Sequence, residues 1–477
     1  MPQSRFASRD GFDEVLGSND EVVLPGLFNA HYHGETLFGP GLYDTLWERA
    51  NVWFHESLVH AAPEDVQAVL LAALHRQLRS GTTGLVDFFY GRPTMELLGA
   101  EATLAAYRES GLRVALAVAV RDQNRFGHAD DEWTLAQLPD EAANALRASP
   151  VGYAHPVGTV FETFDELLAR HHEERGRIRL MLAPDWTPSC SDELLRECAR
   201  RARDAGVTRQ MHLLETRHEL VWNLEAHGES AVRRLHDLGV LGEDLSGAHG
   251  VWLTSEDVRL LAESGTGVAH NPGSNLRLTS GVAPVRRLLA AGVRVAIGTD
   301  GISAGDDDDL LAEVRLAGLL QRPGIGGARL PSETLLTAAC AAGPALAGWP
   351  DVGRLLPGWQ ADLVLLDRRE LAWPPGRFDW ADPLDLVLDR ASARDVVATV
   401  VAGRVLVRER RLVGVDEEAA RRRAEEAAAR LAEPPPEIAA LRPHVEQLQT
   451  VLERLYDSWE AMALPVATAS SSRASGW

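Results

Sequence analysis

The chain of 477 residues is 45% hydrophobic and 25% charged, enough apolar material for a large buried core and the wrong balance for a disordered or fibrous protein. Its 69 acidic residues outnumber 48 basic ones, and the net charge of −21 repels phosphate backbones and anionic membranes, which argues against a nucleic-acid or membrane partner. All 48 basic residues are arginine, so chemistry that needs a Schiff-base, phosphate-loop or carbamylated lysine is excluded.

Residues 1–21 are polar and mixed in charge, without the apolar stretch of a signal peptide. From residue 27 onward, short apolar runs alternate with helical stretches, and eight runs are expected as strands: 27–32, 83–88, 112–120, 178–183, 208–213, 247–252, 267–270 and 293–299. Segments 64–79, 191–205 and 284–291 have the apolar spacing of helices packed on the outside of a barrel. Eight strand–helix repeats predict an α/β fold, a (β/α)8 TIM barrel over residues 25–351, with an open doubly wound sheet as the alternative. After Gly353 the texture changes to strand-like pieces at 361–367, 396–407 and 411–415, which predict a small β domain built from residues 1–24 and 352–415. Segments 417–433 and 437–462 are expected as C-terminal helices broken at Pro434–Pro436 (unit 416–467), and the Ser- and Ala-rich tail 468–477 as disordered. Three dispersed cysteines, Cys190, Cys198 and Cys340, predict neither a disulfide framework nor a thiolate zinc site and point to the cytoplasm.

The chemistry-bearing residues fall at the carboxyl ends of predicted strands, where a barrel builds its active site. His31 and His33 are two apart and therefore share one side of the first strand. The fifth strand ends in Met211-His212-Leu213-Leu214-Glu215, the sixth in Ala248-His249-Gly250 and the eighth in Thr299-Asp300-Gly301. Two histidines from one strand, a third from another and one aspartate form a donor set for Zn2+ or Fe2+, with a position left for a water whose pKa the ion lowers. Glu215, three residues past His212, is the candidate general acid/base, against the plainer reading that it caps the next helix. His249 is open among ligand, proton shuttle and structural histidine; orienting the water or substrate is preferred. The turn His270–Asn275 follows the seventh strand, and His270 is a candidate substrate contact, while Asn271 and Ser274 serve either the site or the turn backbone. Phe38, Tyr43, Trp47, Trp53 and Phe54, with Phe88, Phe89 and Tyr90, are expected around the barrel mouth, Phe89 and Trp53 as substrate contacts. The acid run Asp306–Asp309 is expected to be a solvated helix start.

These strings resemble the amidohydrolase superfamily: PGLFNAHYH at Pro25–His33, SGTTGLVDF at Ser80–Phe88, MHLLET at Met211–Thr216, AHGVWLTSEDV at Ala248–Val258, VAHNPGSNLRL at Val268–Leu278 and GVRVAIGTDG at Gly292–Gly301. The branch they resemble holds the adenosylhomocysteine/methylthioadenosine deaminases, guanine deaminases and triazine hydrolases. The resemblance implies a barrel with a composite β-sandwich, here shortened at its N-terminal side, and one divalent metal per chain, zinc first. By that resemblance His31, His33, His212 and Asp300 are the ligands, Glu215 is the acid/base, His249 polarises the reacting groups, and Asp300 also accepts a proton from water. The expected function is hydrolytic deamination of a nitrogen heterocycle with release of ammonia, in a homodimer or larger homo-oligomer. The alternatives are cleavage of a cyclic amide, displacement of chloride or another substituent, and a barrel that binds without catalysis.

Overall fold

The computed structural model describes residues 15–34, 61–91, 97–152, 155–301, 308–322, 328–374, 382–432, 434–460, 462 and 464. The chain enters as β1 (Glu21–Pro25), which belongs to a separate sheet, and then lays down eight parallel strands. They are β2 (Leu27–Tyr32), β3 (Thr82–Phe89), β4 (Arg113–Val120), β5 (Ile178–Pro184), β6 (Arg209–Leu213), β7 (Leu245–His249), β8 (Gly267–His270) and β9 (Val295–Ile297). Each pairs with its neighbour in sequence order. Every residue of β2, β3 and β4 is buried, as strands covered on both faces require.

The last strand returns to the first. The Asp300 N–H donates to the His31 carbonyl at 3.0 Å, and the Asn29 side chain donates to Thr299 Oγ1 at 2.7 Å and accepts the Thr299 N–H at 3.0 Å. That contact closes the sheet into a TIM barrel. Outward residues such as Leu85, Val114, Leu116, Leu213 and Val268 share one large core with the buried faces of helices Pro63–Arg79 and Asp192–Ala205. Inward residues Phe28, Val86, Phe88, Ala115, Ala117, Met181 and Ala183 make a second core, and its upper member Phe88 touches the histidines described below.

Two expected strands end early, at points that matter to the site. The sixth stops at His249 (φ 74), where left-handed backbone cannot continue a ladder, and the eighth stops at Ile297, three residues before Asp300 (φ 63).

β1 forms an antiparallel sheet with β10 (Leu363–Asp367), β11 (Val396–Val401), β12 (Arg404–Arg408) and β13 (Arg411–Leu412), in that order. The single piece expected over 396–407 is a hairpin: Ala402 (φ 49) and Gly403 (φ 76) both take the left-handed conformation that a tight two-residue turn needs. Beyond it come helices Glu417–Leu431, Pro436–Ala439 and Arg442–Glu460, so the stretch expected as one helix over 437–462 is two. The last buries Val445, Leu448, Leu452, Tyr456 and Trp459 against helices Asp131–Ala136, Asp140–Ala148 and Arg217–His227, over loops that leave the carboxyl ends of β4 and β6. Arg217 ties it there by donating to the Trp459 and Met462 carbonyls.

The acid run needs correcting where it is described. Asp308 is buried, accepts from Gln77 Nε2 at 3.1 Å and faces Arg76 Nε at 3.3 Å. Asp309, also buried, caps helix Leu310–Leu320 and accepts the Ala393 N–H at 2.7 Å. Both are structural anchors and not solvated charges. The expected tail 468–477 lies outside the described residues, and among the described residues no helix is long and apolar enough to cross a membrane.

The barrel and the small sheet are joined by a buried ion pair. Arg113, at the start of β4, donates from Nε to Asp362 Oδ2 at 2.5 Å and from Nη2 to Oδ1 at 3.3 Å, while Asp362 also accepts the Ala402 N–H. Its side chains are at most 1% exposed, so removing one charge strands the other in a medium that cannot solvate it. Asp362→Ala is expected to cost about 3–5 kcal/mol in denaturant unfolding. Glu132→Ala, which breaks an exposed pair with Arg147, is expected to cost no more than about 1 kcal/mol.

Candidate active site

Four strand ends deliver the expected cluster to one point. His31 and His33 come from the end of β2, His212 from β6, His249 from β7 and Asp300 from the turn after β9, and all five are buried. His33 Nε2 lies 3.2 Å from His212 Nε2, and Asp300 Oδ1 lies 3.5 Å from His33 Nε2 and 3.9 Å from His31 Nε2.

The partners of the opposite ring nitrogens decide what this cluster can bind. His33 Nδ1 sits 3.1 Å from the Phe88 carbonyl and His212 Nδ1 3.1 Å from the Asp185 carbonyl, acceptors that require the proton on Nδ1. His31 Nδ1 sits 2.8 Å from Gln210 Oε1, and that amide is oriented by its Nε2 donating to the Ala30 carbonyl at 2.9 Å and to Ser246 Oγ at 3.2 Å. All three Nε2 atoms therefore present lone pairs to a common centre, and the buried His31 Nε2 has no hydrogen-bond partner. Facing lone pairs repel unless a cation lies between them. Atoms of His31, His33 and His212, and of His31, His249 and Asp300, lie within 4.8 Å of one another, so three neutral imidazoles and a carboxylate fit a divalent ion.

Electrostatics hold His31, His33, His249 and Asp300 in binding form, whereas at His212 the lowering by burial is outweighed by the hydrogen bond and charge of Asp185, which raise it. Burial lowers His31 to about 4 and His249 to about 3, and burial with the neighbouring His31 lowers His33 far below the usual range. Burial alone would raise Asp300, but the surrounding imidazoles hold its carboxyl well below the usual carboxylate range. Ser274 Oγ donates to Asp300 Oδ2 at 2.6 Å and the Gly301 N–H to Oδ1 at 2.6 Å, which fixes both oxygens.

Glu215 follows His212 around a turn at Leu214, which is held at φ 47, an uncommon conformation for a branched side chain. The Leu214 carbonyl accepts the Val251 and Trp252 N–H groups at 3.0 and 2.9 Å. Glu215 does not cap the next helix; Thr216 does, and the Glu215 carboxyl is buried with Oε2 3.7 Å from His249 Nε2. His249 Nδ1 donates to Asn275 Oδ1 at 2.9 Å, with Asn271 Nδ2 beside it at 3.3 Å. The turn after β8 thus serves the site through Asn271, Ser274 and Asn275.

Of the other expected contacts, His270 ends β8. His270 is fully buried and neither ring nitrogen has a hydrogen-bond partner. Phe89 packs outward in the core between strands and helices, so the ring beside the histidines is Phe88, with its centroid 4.4 Å from that of His212. Trp53 and the aromatic stretch 38–54 lie outside the described residues. Asp185, Gln210 and Asn275 are not among the residues expected from the sequence. Gln210 was detectable as the residue two before His212 on the same strand face, and Asp185 as the acid just past the end of β5. Asp185 also accepts from the Tyr90 hydroxyl at 3.0 Å and faces Arg121 Nη1 at 3.8 Å.

The chain is similar to known proteins over most of its length. Residues 22–406 match the model of the amidohydrolase family. The chain is 32% identical over 416 residues to 5′-deoxyadenosine deaminase of Methanosarcina mazei, covering 86% of this chain and 87% of that one. It is 34% identical over 414 residues to 5-methylthioadenosine/S-adenosylhomocysteine deaminase of Moorella thermoacetica, covering 85% and 86%. The crystal structure of an adenosine deaminase from Xanthomonas campestris with bound zinc superposes with a TM-score of 0.74 at 26% identity, covering 87% of this chain and 86% of that one. In fold and sequence, the chain belongs to the amidohydrolase family.

Proposed function

We propose that this chain is a deaminase that replaces the ring amino group of a 5′-substituted adenosine by oxygen and releases ammonia. The observation that carries the reading is one buried cluster holding both a cation donor set and an acid–base pair, Glu215 beside His249. The substrate class is supported by relatives named for 5′-deoxyadenosine and for 5-methylthioadenosine/S-adenosylhomocysteine, at 32% and 34% identity.

The proposed ligands are His31, His33, His212 and Asp300, and a Zn2+ ion held there supplies an acidified water near neutral pH. Asp300, with both oxygens fixed by Ser274 and Gly301, takes the proton given up by the attacking water. Glu215 delivers a proton to the ring nitrogen beside the carbon that bears the amino group, which makes that carbon electrophilic. His249 Nε2 stands 3.7 Å from Glu215 Oε2 and 3.9 Å from Asp300 Oδ2, between the two carboxyls that exchange protons, and orients the adding oxygen. Asp300 then passes its proton to the amino group, the tetrahedral carbon expels ammonia, and the remaining hydroxyl proton returns to Glu215. The proposed setting is cytoplasmic, in a homodimer or larger homo-oligomer, which size-exclusion chromatography checks.

The test is incubation of metal-replete protein with 5′-deoxyadenosine, methylthioadenosine, adenosylhomocysteine, adenosine, amino-pyrimidines and triazines, followed by mass spectrometry and ammonia detection. Replacement of NH by O in an adenosine is the expected result, whereas addition of a whole water without ammonia refutes deamination. Glu215→Gln is expected to lower kcat by about 10²–10⁴-fold while metal analysis finds the ion retained. Dialysis against a chelator is expected to abolish turnover and lower Tm, with both restored by Zn2+, because an ion bound only by the folded state stabilises it.

A further inference from the structure

One buried acid stands outside the mechanism above. Glu219 lies in the first turn of helix Arg217–His227, 1% exposed, one turn beyond Glu215. Its Oε2 accepts the backbone N–H of Glu215 at 3.1 Å, and its Oε1 accepts the Thr187 hydroxyl at 2.9 Å. The Thr187 oxygen in turn accepts from Asn223 Nδ2 at 2.9 Å, and Asn223 also donates to the Glu219 carbonyl at 2.8 Å. Thr187 is two residues past Asp185, whose carbonyl accepts both the His212 N–H at 2.9 Å and His212 Nδ1 at 3.1 Å.

An ordinary capping box would send this carboxylate back to the N–H of the cap residue, Thr216. Here it reaches one residue further, to the amide of Glu215, at the exit of the left-handed turn at Leu214. The position is also costly for an acid: burial pushes its carboxyl up to about 7, against the pull of the hydrogen bonds it accepts. A solvent-exposed cap would hold the helix end without that cost.

We propose that Glu219 is a positioning residue for Glu215: its carboxylate fixes the backbone of the Leu214–Glu215 turn and locks it to the loop that orients His212. The proposal rests on the reading of Glu215 as the group that moves the proton, since a carboxyl displaced by an ångström loses its reach to the ring nitrogen.

The test compares Glu219→Ala, Glu219→Gln, Glu215→Gln and the double variant Glu215→Gln/Glu219→Ala in the full-length, zinc-loaded chain, with 5′-deoxyadenosine as substrate. Bound zinc per chain, Tm and hydrogen exchange of the peptide that contains Glu215 are measured alongside. Glu219→Ala is expected to lower kcat about 10- to 100-fold with KM within about threefold, unchanged zinc and faster exchange at Glu215. Glu219→Gln, which keeps an acceptor of the same shape, is expected to recover most of kcat and the exchange protection. In the Glu215→Gln background the alanine change is expected to add nothing, because it acts through the group already removed. The proposal is overturned by full kcat in Glu219→Ala, by a loss that tracks zinc content or appears only in KM, by equal losses in Gln and Ala, or by additive losses in the double variant. If Glu219→Ala does not fold, Thr187→Val removes the other anchor, and unchanged kcat with unchanged exchange there overturns it as well. Turnover that survives Glu215→Gln instead refutes the role given to Glu215, so the two failures are told apart.

Discussion

Three imidazoles can aim lone pairs at one point only if something holds each ring by its far nitrogen. Here the holders are the Phe88 carbonyl, the Asp185 carbonyl and the amide oxygen of Gln210. Each comes from a different strand or strand end, so the donor set exists only while the barrel is closed and in register. The same dependence runs outward: Gln210 is oriented by Ala30 and Ser246, and the closing hydrogen bond of the barrel is accepted by the carbonyl of His31 itself. Fold and site are therefore one network. Burial keeps His31, His33 and His249 neutral, and burial is what the two cores on either side of the strands supply.

The strand ends carry the cost of this arrangement. Leu214, His249 and Asp300 all adopt positive φ, at about 1–3 kcal/mol each for non-glycine residues, and all three sit where the chain must turn a side chain back over the barrel mouth. Such conformations persist because neighbouring backbone groups over-determine them. The Val251 and Trp252 amides bind the Leu214 carbonyl, the Gly250 amide beside His249 binds the Leu213 carbonyl, and the Asp300 amide binds the His31 carbonyl. Opposite them, the C-terminal helix Arg442–Glu460 braces the loops of β4 and β6, with the Tyr456 hydroxyl 3.2 Å from His128 Nδ1.

Much of this was readable in the residue order. Strand alternation placed β2 and β8 to the residue, and the others within a few positions, because parallel strands buried on both faces must be short and apolar. The errors share a cause. The expected strand at 247–252 continued an apolar run that the backbone abandons at left-handed His249, the one at 293–299 ran past Ile297 into the turn that carries Asp300, and the piece at 396–407 hid a hairpin turn at Ala402 and Gly403. Phe88 and Phe89 differ only in strand phase, and the phase is set by pairing with β2 and β4. Solvent was expected around Asp308 and Asp309 because charge alone says nothing of an arginine and amides that lie far away in the chain.

By itself the sequence determined the barrel, the five residues that meet at its centre and Glu215 as their neighbour, because strand period and strand-end position are local properties of the chain. It also determined that no lysine chemistry operates. The tertiary structure decided which nitrogen of each histidine faces the centre, that Glu215 turns toward His249 and does not cap a helix, and that Asp185, Gln210, Asn275 and Glu219 hold the site. Those outcomes depend on hydrogen bonds between residues distant in sequence, and only the closed barrel brings their donors and acceptors within reach.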